Sequence, residues 1–171
     1  SSDVCSSDLY EICTKFRQQG SYTVIGGIHV TIYPDEALRF ADTVMIGEGE
    51  IIFREFLKDF ENSVPQKTYK SNTYVDLSLS PIPRYDLLNT NLYTSYSIQT
   101  TRGCPRTCGY CTLPVMYGSK YRHKSAEQVT KEIREIKEID RSPFIFFADD
   151  NMFIDKKNSI ELLKIIEKEN I

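Results

Sequence analysis

The chain has 171 residues, of which 40% are hydrophobic and 26% are charged, and its formal net charge is −3. This composition is typical of a globular protein and excludes a polycation that binds nucleic acid through charge alone. No run of about 18 apolar residues occurs, so the sequence predicts no membrane span. The five cysteines are an odd number. They argue against a secreted disulfide scaffold and favour a reducing compartment, which we take to be the cytoplasm.

Residues 1–9 read SSDVCSSDL and resemble the translation of a sequencing-library adapter. We interpret them as an assembly artefact, so Cys5 receives no functional weight. They contain no basic segment followed by an apolar one, and therefore do not form a signal peptide. At the other end, Ile171 follows an amphipathic helical pattern that lacks a capping signal. We expect the chain to be a fragment of a longer protein.

Residues 10–61 alternate between helix-forming and strand-forming patterns. This alternation predicts part of a parallel α/β layer. The predicted elements are a helix over 10–19, a strand over 23–25, a helix over 34–40, a strand over 43–46, and a helix that carries Ile52, Phe53, Phe56, Leu57 and Phe60.

Residues 62–94 contain three prolines among scattered polar residues, which predicts a linker. Residues 95–171 then follow the order strand, loop, helix, strand, helix, as at the opening of a βα barrel. A capping box begins the first of these helices at Ser125, and Asp155 is expected to cap the second. The predicted elements are a strand over 96–101, a loop over 103–120, a helix over 125–139 with Val129, Ile133 and Ile136 on one face, a buried strand over 143–148, and a helix with Leu162, Leu163 and Ile166 toward a core.

Three cysteines, Cys104, Cys108 and Cys111, lie in the loop that follows the strand over 96–101. Thiolates bind zinc, copper(I) or iron–sulfur clusters. A closed zinc site needs four protein ligands, whereas three cysteines leave one iron of a cluster free to bind something else. Because Cys13 lies far upstream on a predicted helix, the fourth zinc ligand on offer is His123. The pattern favours an iron–sulfur cluster, with a zinc-stabilised binding module as the alternative.

The segment RGCPRTCGYC over 102–111 resembles the signature of radical S-adenosylmethionine (SAM) enzymes, including an aromatic residue, Tyr110, before the third cysteine. In that family the three cysteines hold a [4Fe-4S] cluster whose open iron binds the amino and carboxylate groups of SAM. The resemblance implies that one electron from the cluster cleaves SAM to methionine and a 5′-deoxyadenosyl radical, which abstracts hydrogen from a substrate. It also implies a reduced electron donor, such as flavodoxin or ferredoxin.

The same resemblance implies SAM contacts from Tyr110 and from Asp149, Asp150 and Asn151, which follow the second barrel strand. Carboxylates there suit the SAM ammonium group, while a strand-end turn with helix-capping polar groups is the alternative. The segment 87–126 contains no acidic residue, and we interpret its basic residues as a rim for the SAM carboxylate or for an acidic electron donor, with a plain solvated loop as the alternative. These basic residues are Arg102, Arg106, Lys120, Arg122 and Lys124.

Glycines that end the first two strands resemble those of the cobalamin-binding domain in cobalamin-dependent radical SAM enzymes. Glycine lets the backbone approach a ligand closely, and in that domain the glycines contact the nucleotide tail of cobalamin. Plain tight turns are the alternative. The domain's cobalt-binding histidine motif has no counterpart here, since His29 follows the glycine pair and is expected to be structural. The residues predicted to contact cobalamin are Gly26, Gly27, Gly47, Glu48 and Gly49.

These resemblances imply an α/β fold. In it, the C-terminal half of a Rossmann-like cobalamin-binding domain (10–61) and a linker precede the first two βα units of a radical SAM partial TIM barrel (95–171). The implied parent enzyme is a transferase that methylates a small molecule, or transforms it by related radical chemistry, without a nucleic-acid partner. A radical SAM enzyme that does not use cobalamin, for example one that modifies RNA by methylthiolation, is the alternative. No catalytic residue is assigned, and the 171-residue chain by itself is expected to be inactive.

Overall fold

The computed structural model describes residues 6–169 and divides the chain into two compact units, with the boundary after Val75. Each unit has helices and a pair or a trio of parallel strands, so the predicted α/β fold class is confirmed. The interpretation of residues 1–5 as an artefact, and the position of Ile171, lie outside the described residues. None of the helices between residues 6 and 169 is long and apolar enough to cross a membrane.

The first unit is built on a parallel sheet in which β2 lies between β1 and β3. Val24 is the register partner of Thr43, and Val44 is the partner of Thr68. The elements are α1 (Ser6–Gln18), β1 (Val24–Ile25), α2 (Ile28–Ile32), α3 (Pro34–Ala37), β2 (Thr43–Ile46), α4 (Gly49–Glu61) and β3 (Thr68–Lys70).

Helix α4 carries two apolar stripes, and only one of them is buried. Ile52 and Phe56, which lie one turn apart, pack with Met45 and Tyr69 in the core. Because a helix turns about 100° per residue and the sheet covers one side of it, the second stripe is exposed. The exposed stripe consists of Phe53, Leu57 and Phe60.

The segment predicted as a linker, 62–94, is divided between the two units. In the first unit Tyr69 of β3 is buried, and its hydroxyl donates to the Asp59 carboxylate at 2.8 Å. In the second unit Tyr85 belongs to the apolar core. Prolines and polar residues indicate a linker by composition, but the two buried tyrosines tie its halves to different cores.

The second unit contains a parallel strand pair, β4 and β7, and an antiparallel pair, β5 and β6. Ser97 is the register partner of Phe146, and Thr101 is the partner of His123. Short 3-10 turns occur at Leu77–Leu79, Tyr85–Leu87, Thr90–Leu92 and Met152–Ile154. The strands and helices are β4 (Tyr96–Ile98), β5 (Thr101–Arg102), α5 (Leu113–Tyr117), β6 (Arg122–His123), α6 (Ala126–Ile139), β7 (Ile145–Phe147) and α7 (Lys156–Glu169).

Both predicted caps in this unit are present. The Gln128 amide N–H donates to Ser125 Oγ at 3.1 Å, and the Ser125 N–H donates to Gln128 Oε1 at 2.9 Å. The Asp155 carboxylate accepts from the Asn158 N–H at 3.1 Å, which caps α7. These bonds satisfy backbone donors that the first helical turn leaves without partners. As predicted, α6 buries one face, which consists of Val129, Ile133 and Ile136.

Strand β7 is only half buried, contrary to the prediction of a strand covered on both faces. Ile145 and Phe147 pack on the core, whereas Phe144 and Phe146 are 69% and 56% exposed. Side chains alternate between the two faces of a strand, and the described helices cover one of these faces. Leu163 of α7 is also exposed, although it was expected to face the core.

The predicted strand over 96–101 is divided into β4 and β5 because the chain changes partners within it. Ile98 pairs with Phe147 of β7, while Thr101 pairs with His123 of β6. The break falls at Gln99 and Thr100, immediately before the cysteine loop. The sequence did not predict β6 or α5, since elements of two and five residues carry little periodic signal.

Candidate functional site

The cysteine loop begins with a glycine that its surroundings require. Gly103 has a φ of +82°, and a Cβ atom at this position would lie 2.2 Å from the carbonyl oxygen of Lys120. The next residue, Cys104, is buried, and its N–H donates to the Gly118 carbonyl at 3.2 Å. The entry to the loop is therefore packed directly against the backbone that leaves it, and Cys104 is anchored there.

The other two cysteines are more accessible. Cys108 is exposed and Cys111 is half-buried, and the Cys111 N–H donates to the Cys108 carbonyl at 3.1 Å across a tight turn. All three thiols of the loop are free. Among residues 6–169, however, no group of three or more His, Cys, Asp or Glu side chains is arranged to hold a metal ion. This holds equally for the zinc alternative, whose fourth ligand, His123, is exposed and lies 3.1 Å from the Lys124 carbonyl.

Tyr110, which precedes the third cysteine, is 92% exposed, so its ring is free to contact a ligand. Of the predicted basic rim, Arg106 and Lys120 are exposed. Arg102 is half-buried, and its Nε donates to Gln99 Oε1 at 2.8 Å. Arg122 donates to a backbone carbonyl of α5 at 2.9 Å. The two arginines of the short β-strands thus stabilise the loop's own framework.

Lys124 does not belong to the basic rim, because its side chain points into the core. Its Nζ lies 2.7 Å from Glu132 Oε2, and the Tyr85 hydroxyl donates to Glu132 Oε1 at 2.7 Å. All three residues are buried. Burial, and then the bond to Glu132, raises the pKa of Tyr85. This network was not predicted from the sequence, although Glu132, an acidic residue among the apolar positions of α6, was a signal for it.

The Asp149 carboxylate lies just beyond β7 and accepts three hydrogen bonds. Its Oδ1 accepts from the N–H groups of Thr100 and Thr101 at 2.8 and 2.7 Å, and its Oδ2 accepts from Thr100 Oγ1 at 2.5 Å. The resemblance to radical SAM enzymes predicts that this carboxylate contacts SAM. The structure instead directs both of its oxygens to the chain that enters the cysteine loop.

The two residues that follow Asp149 differ from it and from each other. Asn151 Oδ1 accepts from the Phe153 N–H at 3.2 Å, as in the helix-capping alternative. Asp150 is exposed, and its carboxylate is not committed to the threonine donors. Partial burial of the carboxyl group, and then the charge of Asp149, raises the pKa of Asp150. Of the two carboxylates predicted to contact SAM, Asp150 is therefore the exposed one.

Different structural features account for the absence of a side chain at the glycines of the first unit. Gly27 and Gly47 have φ values of +106° and +92°, which disfavour any residue with a side chain. At Gly26 a Cβ atom would lie 3.3 Å from Met45 Cβ, so packing limits its size. At Gly49, the first residue of α4, no positive φ occurs and nothing lies within 4 Å of a built Cβ.

A threonine connects the two glycine turns. Thr31 Oγ1 donates to the Gly27 carbonyl at 2.8 Å and accepts from the Gly47 N–H at 3.1 Å. Nothing in the sequence pattern pointed to this residue. Its bonds bring the ends of β1 and β2 together, as expected for parallel strands whose carboxyl ends meet at one edge of the sheet.

Glu48, predicted to contact cobalamin, is buried, and its Oε2 accepts from the Val75 N–H at 2.6 Å. It therefore holds the last residue of the first unit. His29 Nε2 lies 3.1 Å from Glu36 Oε1, which agrees with its expected structural role. No neighbour lies within 4 Å of where a side chain would begin at Gly27 or Gly49. The Glu48 side chain, in contrast, is buried and bonded to Val75.

Comparison with known proteins supports the resemblance of the cysteine loop to radical SAM enzymes. The model of the radical SAM superfamily matches residues 98–171, which include all three cysteines of the loop. An uncharacterized methyltransferase of Synechocystis sp. is 34% identical over 157 residues, which cover 91% of this chain and 29% of that protein. The bacteriochlorophyllide d C-8(2)-methyltransferase of Chlorobaculum tepidum is 29% identical, over 91% of this chain and 38% of that protein.

Among solved structures, the cobalamin-dependent SAM radical enzyme OxsB, with aqua-cobalamin and SAM bound, superposes with a TM-score of 0.69. The match has 18% identity and covers 91% of this chain and 25% of OxsB, so it supports the fold. The two methyltransferases each match 91% of this chain, and the chain spans 29% and 38% of their lengths and 25% of the length of OxsB.

Proposed function

We propose that this chain is the junction of the cobalamin-binding and radical SAM domains of a cobalamin-dependent methyltransferase. The observation that carries the proposal is a loop with three free cysteines, Cys104, Cys108 and Cys111, inside the segment that matches the radical SAM superfamily. The methyltransferase relatives support the methylation of a small molecule, and the fold shared with OxsB supports the pairing of these two domains. On this proposal residues 10–61 belong to the first domain and 95–171 to the second.

The donor set of the loop suits a [4Fe-4S] cluster. Three thiolates bind iron–sulfur clusters well, and a fourth protein ligand is not required when one iron binds SAM. Cys104 is anchored by its backbone, and the turn between Cys108 and Cys111 keeps these two on one segment. When bound, the cluster supplies the electron that cleaves SAM. The three cysteines are the residues that would hold the cluster, although within residues 6–169 they do not form a group arranged for a metal ion.

The protein's own contribution to SAM binding is electrostatic and steric. The exposed Asp150 carboxylate suits the SAM ammonium group, and the exposed Tyr110 ring can cover the adenine. Arg106 and Lys120 are the exposed cations of the loop, and they suit the SAM carboxylate or an acidic electron donor. Free thiols at this density suit a reducing compartment, and we place the enzyme in the cytoplasm.

The cobalamin contacts are proposed on the open glycine backbone of the first unit. Gly49 has neither a positive φ nor a crowding neighbour, so the protein itself gives no reason for a missing side chain there. A ligand that approaches the backbone does give such a reason. Gly27 presents the same open surface one strand away. No residue of the chain is proposed as a cobalt ligand.

Anaerobic reconstitution with iron and sulfide tests the cluster. We expect a brown protein with about four irons per chain and reduced amide hydrogen exchange over 104–111, where the loop closes around the cluster. The triple variant C104A/C108A/C111A is expected to lose both. The matched control is C13A, which removes a thiol outside the loop and is expected to retain the iron.

A colourless protein that holds one zinc, and that unfolds when a chelator removes it, would contradict the proposal and support the binding module. SAM cleavage is expected only from a longer chain that supplies further barrel strands. Measurable cleavage by the 171-residue chain under reducing anaerobic conditions would show that expectation to be wrong. Cobalamin retention by a chain extended upstream of residue 10 separates the cobalamin-dependent proposal from a radical SAM enzyme without cobalamin.

A further inference from the structure

We infer that Asp149 is a positioning residue for the cysteine loop rather than a ligand of SAM. The inference rests on the proposed function only in what the loop binds, because the contacts of Asp149 lie within the protein itself. Its carboxylate accepts from two backbone N–H groups and one hydroxyl, all of which belong to Thr100 and Thr101. These residues lie three and four positions before Cys104.

The register of the strands places Asp149 at this point. Ile98 is the partner of Phe147, and the Ala148 N–H donates to the Ile98 carbonyl at 2.9 Å. Beyond this bond, β4 turns away to become β5, so the N–H groups of Thr100 and Thr101 have no strand partner in β7. The Asp149 carboxylate takes the place of a strand's carbonyl acceptors, because its Oδ1 accepts from both N–H groups.

The Thr100 peptide is held from the opposite side as well. Its carbonyl accepts from the Lys124 N–H at 2.8 Å. Thr100 and Thr101 are both buried, so an N–H left without a partner here would be costly. From this fixed point the chain passes through β5 to Gly103, whose contact with the Lys120 carbonyl admits no side chain. Several contacts therefore restrain the backbone that leads to Cys104, and the bonds to Asp149 are the first of them along the chain.

This assignment separates the two neighbouring carboxylates by role. Asp149 Oδ1 accepts two hydrogen bonds of 2.7 and 2.8 Å and Oδ2 accepts a third, so three of the carboxylate's roughly four acceptor positions are already used within the protein. Asp150 has no such commitment to Thr100 and Thr101. Asp149 thus orders the protein chain, and Asp150 is the group that can face SAM.

Amide hydrogen exchange of the chain without cluster or SAM tests the inference directly. Asp149→Asn keeps an oxygen that can accept but removes the negative charge that strengthens these bonds, and we expect exchange at Thr100 and Thr101 to become about tenfold faster. The matched control is Asp150→Asn, which is expected to leave exchange at these two residues unchanged. Equal exchange in Asp149→Asn and the original chain would overturn the inference.

A second pair of variants guards against a failure of Asp149→Asn to fold. Thr100→Val removes the hydroxyl that donates to Asp149 Oδ2 but retains the backbone donors. We expect faster exchange at Thr100 and Thr101, smaller than in Asp149→Asn, and recovery in Thr100→Ser, which restores the hydroxyl. If the valine and serine variants exchange at the same rate as the original chain, Asp149 is not the restraint that we infer.

Reconstituted protein connects the restraint to the loop. We expect Asp149→Asn to lower the iron content and to broaden the electron paramagnetic resonance signal of the reduced cluster before any SAM is added. If Asp149 were instead a SAM ligand, its variant would keep the iron and the exchange rates and would lose only SAM binding. A lack of iron in the original chain would contradict the proposed function, while the exchange measurement would still decide the role of Asp149.

Discussion

The two units hold their strand-end loops in opposite ways. In the second unit the cysteine loop is closely restrained, because Gly103 packs on the Lys120 carbonyl and Asp149 binds the preceding backbone. In the first unit Gly27 and Gly49 are open, since a Cβ atom at either position would meet nothing within 4 Å, although Gly26 packs on Met45. There, Thr31 makes the described connection between the turns.

The difference shows what each loop offers a ligand. The cysteine loop offers side chains, whose value depends on where the backbone places them, so its entry is restrained on several sides. The glycine turns offer the backbone itself, and a neighbouring side chain would cover what they present. In both units the acidic residue beside the loop serves the protein, since Glu48 and Asp149 each accept backbone N–H groups.

The largest effect is expected for Gly103→Ala. The new Cβ atom would meet the Lys120 carbonyl oxygen at 2.2 Å, and the φ of +82° adds strain. We expect a loss of at least about 2 kcal/mol in the free energy of unfolding, measured by urea denaturation. The control is Gly109→Ala in the same loop, where nothing lies within 4 Å. Equal losses in the two variants would mean that the loop entry is not crowded.

Glu48→Ala is expected to lower the free energy of unfolding by about 2 kcal/mol, because it leaves the buried Val75 N–H without its charged acceptor. Urea denaturation again provides the measurement. The control is Glu55→Ala, at an exposed position of α4, for which we expect a change within about 0.5 kcal/mol. If both variants behave like the control, Glu48 is available to a ligand after all.

Thr31→Val is expected to cost about 1 kcal/mol, because it removes one donor and one acceptor between the glycine turns while it keeps the shape of the side chain. Thr31→Ser keeps the hydroxyl and is expected to unfold close to the original chain. Thermal unfolding of the two variants side by side checks this. A serine variant as unstable as the valine variant would show that the methyl group matters rather than the hydroxyl.

The smallest effect has the opposite sign. Gly49→Ala is expected to raise the free energy of unfolding by about 0.5 kcal/mol, since alanine fits the helical backbone and reduces the freedom of the unfolded chain. In a chain extended upstream that retains cobalamin, the same variant is expected to bind cobalamin more weakly. A destabilised Gly49→Ala would reveal a neighbour that crowds this position, and the comparison between open and restrained glycines would then be wrong.

Local signals in the sequence predicted much of the fold. The strand Thr43–Ile46 has the predicted bounds, and the caps at Ser125 and Asp155 are present, because each depends on residues within a few positions of one another. The choice of buried stripe on α4 was not predictable in this way. It depends on where the sheet lies, and Phe53 and Phe56 are equally apolar.

The candidate site likewise contains residues whose roles the local sequence predicts and residues whose roles it does not. The spacing of the cysteines pointed to the loop, and the superfamily match includes them. The roles of Asp149 and Glu48 could not be predicted, because their backbone donors lie 49 and 27 positions away along the chain. A carboxylate at a strand end has the same local sequence whether it faces a ligand or a neighbouring strand.

The buried Tyr85–Glu132 bond makes the stability of the second unit depend on pH. Burial holds the pKa of Tyr85 above 10, its ordinary value, so the folded chain keeps the phenol proton at a pH where the unfolded chain releases it. The stability that this proton contributes is fully present below pH 10 and is lost as the pH rises above it. The bond that ties the turn Tyr85–Leu87 to α6 therefore also sets an alkaline limit on the unit, which Tyr85→Phe should relax.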